Sequence, residues 1–120
     1  TKSDGRKFDL SFKGKSVELK TDTYPMQKTE NYFMERYGSI EDKKPGGPWR
    51  ANDDGVDYFV YLYLANKQFF WFDPKTLVPY LDSHTKNMRG RTVANKSYTT
   101  LGFCVPRDDV AHLLIRQDKI

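Results

Sequence analysis

Residues 56–72 read VDYFVYLYLANKQFFWF. β-Branched and aromatic side chains fill both ends, and Ala65-Asn66-Lys67 interrupts them. Such side chains suit a pleated, buried surface. The stretch therefore predicts a central strand over residues 56–64, a tight reversal, and a second strand over residues 68–72. Alternating aromatics in such a hairpin are read as core. Asp73-Pro74 follows at once. Aspartate supplies an N-cap acceptor and proline suits the first helical position, so a helix should run from 74 to about 81.

Working outward, residues 7–12 and 16–22 alternate polar and apolar side chains and predict two more strands. Residues 29–37, TENYFMERY, predict a third. Toward the C-terminus, residues 101–105 predict a short strand. A closing helix is expected from 106 to about 116, where Val110, Leu113 and Leu114 fall at helical spacing. Two stretches lack such periodicity and read as loops: residues 38–55, GSIEDKKPGGPWRANDDG, and residues 84–97, HTKNMRGRTVANKS. Loops of this length in a compact domain are uncommon and often functional. The expected fold class is α/β (α+β), one domain over residues 1–120 with a central mixed sheet flanked by helices.

Composition narrows the function. With 38% hydrophobic and 30% charged residues the chain matches ordinary soluble domains. No apolar run approaches the roughly 20 residues that span a bilayer, and no signal-peptide pattern opens the sequence, so no membrane partner is expected. Cys104 is the only cysteine. It rules out an intrachain disulfide and a cysteine-based zinc site, and it fits a reducing, cytoplasmic setting. Between phenylalanine and valine, it reads as a small buried hydrophobe. The net charge of +4 is a mild excess, but its distribution is uneven. Residues 84–97 carry Lys86, Arg89, Arg91 and Lys96 and no acid, the pattern of a loop that meets phosphates. Trp49, a large aromatic in the polar first loop beside Arg50, is a second candidate for nucleic-acid contact. His84 and His112 lack a ligand pattern around them, and His112 reads as a packing residue.

The chemistry concentrates in the first hairpin. If Lys13-Gly14 forms a two-residue turn, Phe12 opposes Lys15, Leu10 opposes Val17 and Asp9 opposes Glu18. Apolar side chains then share one face, and Asp9, Glu18 and Lys20 share the other. A slip of one residue would mix the faces, so burial selects this register. Opposed Cβ atoms lie about 4.5–5.5 Å apart, and two carboxylates at that distance repel. A divalent cation between them removes the repulsion, and hard oxygen donors suit Mg2+ or Mn2+. Such an ion could activate water at a phosphodiester, and Lys20 could stabilise charge on the phosphate.

Asp9 followed by Glu18-Leu19-Lys20 on a hairpin resembles the PD-(D/E)xK nuclease superfamily, the restriction-endonuclease-like and Holliday-junction-resolvase-like enzymes. ELKTD followed by KTENYFMERY is similar to its phage-type members, in which the next strand carries Thr29, Asn31 and Glu35 in the matching places. The segments GVDYFVYLY, DPKTLVPYL and GFCVPRDDVAHLL resemble later pieces of the same pattern. The resemblance implies a restriction-endonuclease-like core. It implies Asp9, Glu18 and the Leu19 carbonyl as metal ligands, Lys20 as the catalytic lysine and Glu35 as an accessory acid. Phe8 stands where the nominal motif has proline, and no acidic helix precedes Asp9. The expected function is a Mg2+- or Mn2+-dependent endonuclease acting on DNA rather than RNA, with a homodimer as the plausible assembly. The competing expectation is a non-catalytic nucleic-acid- or protein-binding module on a degenerate nuclease fold.

Overall fold

A computed structural model of the chain describes residues 10–120. Lys13 and Gly14 both take positive φ, 50° and 80°, and reverse the chain between β1 (Leu10–Phe12) and β2 (Lys15–Asp22). The register pairs Leu10 with Val17 and Phe12 with Lys15, as the alternation predicts. Asp9, with the Lys7, Phe8 and Asp9 pairings, lies outside the described residues.

β5 (Tyr58–Tyr63) pairs with β2 in parallel, and β6 (Gln68–Phe72) returns antiparallel to β5. A short 3-10 turn, Leu64–Asn66, joins them, closed by Lys67 at φ 53°. With β9 (Leu114–Lys119), the mixed five-stranded sheet has the order β1-β2-β5-β6-β9. A second sheet, antiparallel throughout, has the order β4-β3-β8-β7. Its members are β3 (Asn31–Ser39), β4 (Lys44–Pro45), β7 (Arg91–Ala94) and β8 (Thr99–Pro106). The α+β class therefore holds, with two sheets in place of the single sheet expected.

Three other expectations are corrected. The segment 38–55 is not one loop: it forms β4 and the helix α1 (Gly47–Asp53), opened by Pro48 in the first turn. The segment 84–97 ends the helix α2 (Pro74–His84), turns, and forms β7. The closing helix is absent: Arg107–Leu113 is a 3-10 segment, and Leu114–Lys119 is the strand β9, antiparallel to β6. Arg116 in β9 lays its guanidinium 5.4 Å from the Trp71 ring. That contact holds a charged, exposed stretch on the sheet edge. The start of α2 follows the sequence, and the Asp73 carboxylate accepts from the Lys75 N–H at 2.9 Å.

The core lies between the sheets. Tyr32 and Met34 of β3 meet Phe59, Tyr61, Tyr63, Phe70 and Phe72 of β5 and β6, with Leu77 and Leu81 of α2 closing one side. Tyr32 sits centrally, 4.8 Å from the Tyr61 ring and 5.6 Å from the Phe72 ring. The parallel register puts Glu18 beside Phe59 and Lys20 beside Tyr61. Glu18 and Lys20 therefore share the inner face of the sheet with core aromatics, a consequence of the two-residue side-chain period. The charged face of the first hairpin is not a solvated surface.

Candidate functional site: a buried acid, a lysine and a cleft

Glu18 is 8% exposed. Two residues on, the Lys20 amine donates to Glu35 Oε2 at 3.2 Å, and both side chains are about one quarter exposed. The pair joins the two sheets, since Lys20 belongs to β2 and Glu35 to β3. Glu35 adjoins a register irregularity between residues 35 and 37. Such bulges re-aim side chains and recur beside active sites.

The Gly46-Gly47 turn presses on Glu35 from behind. A Cβ at Gly46 would lie 2.8 Å from the Gly38 nitrogen and 3.1 Å from the Glu35 Cβ. Gly47 has φ +47°, and a Cβ there would lie 3.1 Å from the Glu35 carbonyl oxygen. Only glycines let β4 and the start of α1 approach this closely.

Beside the Lys20–Glu35 pair an open cleft of about 600 Å3 is lined by β2 and the chain after it and by the face of β3 turned away from the core. Its lining includes Lys20, Asp22 and Tyr24 from β2 and the chain after it, Lys28, Asn31 and Phe33 from in and before β3, and Arg91, Val93 and Cys104 from β7 and β8. Asp22 fastens the end of β2 to the core. Its Oδ1 accepts from the Tyr24 N–H at 2.8 Å, and its Oδ2 accepts from the Tyr61 hydroxyl at 2.6 Å. Tyr61 Oη accepts in turn from the Phe33 N–H at 2.9 Å. Burial and the Asp22 carboxylate hold the Tyr61 phenol above its ordinary pKa.

The other expected site residues are dispersed. Arg91 lies on β7 and lines the cleft. Lys86, Arg89 and Lys96 are exposed in the turns flanking that strand, outside the cleft lining. Trp49 is corrected outright. It is 4% exposed, its indole N–H donates to Asp82 Oδ1 at 2.8 Å, and the Arg36 guanidinium lies 5.3 Å from its ring. It packs the interior and is unable to reach a partner. Arg50, on the same helix, is 41% exposed and lies 3.8 Å from Asp54. His84 ends α2 with Nε2 3.0 Å from Asp109 Oδ2, tying the helix to the 3-10 segment. His112 sets its ring edge-on to Tyr80 at 5.0 Å. Cys104 is half-buried, lines the cleft and is not fully in the core.

Sequence reasoning missed Asp22, Tyr24, Lys28 and Phe33 as cleft residues. The strand period held the signal for one of them: Asn31, Phe33 and Glu35 alternate onto one face of β3, opposite the core-facing Tyr32 and Met34.

Among the described residues, no three His, Cys, Asp or Glu side chains group as a metal site. The third ligand expected from the hairpin, Asp9, lies outside them. No protein-family model, no curated protein and no solved structure matches this chain.

Proposed function

We propose that this protein is a divalent-metal-dependent nuclease acting on DNA, with its site at Glu18, Lys20 and Glu35. The observation that carries the proposal is the Lys20–Glu35 pair at 3.2 Å, next to a largely buried Glu18 on the same strand face. A largely buried carboxylate and a part-buried lysine on the inner face of a sheet cost stability unless they are paired, hydrogen-bonded or bound to a ligand. The donor chemistry fits a hard cation: carboxylate oxygens of Glu18 and Asp9 with the Leu19 carbonyl would hold Mg2+ or Mn2+. When bound, such an ion polarises a phosphoryl oxygen and lowers the pKa of water.

The chain's own residues have separable roles. Lys20 lines the cleft and would stabilise negative charge developing on the phosphate. Glu35 holds that ammonium in place through one hydrogen bond and is itself held by the glycine turn. Arg91, across the cleft, adds a cation that can hold a second phosphate.

The test is incubation with plasmid, linear, single-stranded and branched DNA and with RNA, in Mg2+, Mn2+ or EDTA. Cleavage should need the metal, and Glu18→Gln and Lys20→Ala should each lower it by about 100-fold or more. Undiminished cleavage in both variants would place the activity elsewhere. Strand binding without metal-dependent turnover would favour the binding-module reading.

A further inference from the structure

Phe33 lines the cleft in an unusual setting. A Cβ added at Gly102 would meet its ring at 2.5 Å, so the ring tip rests directly on glycine backbone. The Lys20 amine lies 5.9 Å from the ring centroid. Tyr24, which also lines the cleft, is 54% exposed, although its own N–H is fixed to Asp22. Two aromatic faces are thus held within one cleft. The charge around them favours an anion. Asp22 is already engaged by two donors, whereas Lys28 and Arg91 have no ion-pair partner among the described residues.

The volume is informative. About 600 Å3 lies within the roughly 300–1,000 Å3 of clefts that enclose a drug-sized molecule. That is room for about one or two nucleotides and too little for a duplex segment. A base inside a duplex has no free face to offer an aromatic ring. It reaches one only when unpaired or extruded. Aromatic platforms flanked by cations are how proteins hold single strands.

We propose that this cleft seats unpaired nucleotides, stacking bases on Phe33 and Tyr24 while Lys28 and Arg91 hold the adjoining phosphates, and so directs the enzyme to single-stranded or frayed DNA. The inference rests on the nuclease reading in taking nucleic acid as the ligand, but it is tested without turnover. Fluorescence anisotropy in EDTA compares a labelled oligothymidylate of about 15 nucleotides with a blunt duplex of the same length, and an oligouridylate with its own duplex. The unpaired strand should bind at least about tenfold more tightly than its duplex. Tyr24→Ala and Phe33→Leu should each weaken strand binding by roughly 5- to 100-fold, the range of a lost base stack, while duplex binding stays level. Phe33→Leu keeps the apolar contact with Gly102, and Tyr24→Ala alters an exposed side chain, so thermal melts of both should match the parent. Equal affinity for strand and duplex, or strand affinity unchanged in both variants, overturns the proposal. Strand preference without cleavage in Mn2+ would support the cleft assignment and sink the nuclease reading alone.

Discussion

Tyr61 links the core to the cleft through one oxygen atom. Its hydroxyl donates to Asp22 and accepts from the Phe33 N–H, so two cleft residues hang on a side chain whose ring packs against Tyr32. Tyr61→Phe keeps the ring and removes both bonds. A part-buried N–H and a part-buried carboxylate each lose a partner, which should cost about 1–3 kcal/mol. Chemical denaturation measures that loss, and a midpoint equal to the parent's would show that water replaces the hydroxyl at no cost. At this scale the sequence was partly legible. Lys20 and Glu35 are singled out by resemblance, and the fold brings them together across two sheets. The role of Asp22 is not legible, because its partner Tyr61 lies 39 residues away and only the parallel pairing of β2 with β5 brings them near. Trp49 misleads because a polar loop is the usual place for an exposed aromatic, whereas here the loop folds into a helix that turns the ring inward.

Elements hold these residues at the right separation, and the α1 entry turn shows how. Gly46 and Gly47 let the chain pass against Glu35 at van der Waals limits, and the Gly46 N–H donates to the Arg36 carbonyl at 3.2 Å. Gly46→Ala would force its Cβ against the Gly38 nitrogen and the Glu35 Cβ, so either the turn or the strand must shift. Overpacking of this kind costs typically about 1–3 kcal/mol. The shift should also loosen the Lys20–Glu35 pair, giving a larger loss of cleavage than of stability. Kinetics and melting of the variant together check this, and a fall in stability with full activity would free the turn of any part in positioning Glu35. Pro48 in the first turn of α1 is a helix-start signal lying inside a stretch whose glycines and aspartates read as loop. At the other end the error ran the opposite way. Spacings of three and four residues among Val110, Leu113 and Leu114 suit a helix, but the spacing of three also suits a 3-10 turn, after which the chain extends along β6. The free edge of β6 supplies a strand partner that no local pattern announces.

The whole molecule turns on an aromatic cluster that must stay uncharged. Burial pushes the Tyr32 and Tyr61 phenols well above their ordinary value of 10.0, and burial also raises Tyr63, partly offset by the Arg107 guanidinium that donates to its oxygen at 3.1 Å. In the unfolded chain these phenols ionise near pH 10. In the fold they keep their protons. Above that pH the unfolded state therefore binds fewer protons than the native state, and stability must fall as pH rises. Below pH 10 both states carry neutral phenols, so the stabilising difference is fully present there. Tyrosinate absorbance from these buried rings should therefore appear only above about pH 10 and coincide with loss of near-ultraviolet circular dichroism. Tyr32→Phe removes one buried titrating group while keeping the ring, and should shift that loss to higher pH. Ionisation of Tyr32, Tyr61 and Tyr63 near pH 10 while the circular dichroism stays native would mean the cluster is open to solvent. The parallel register that sets Tyr61 in this cluster also sets Lys20 beside it, so an open cluster would remove the support on which the site geometry rests.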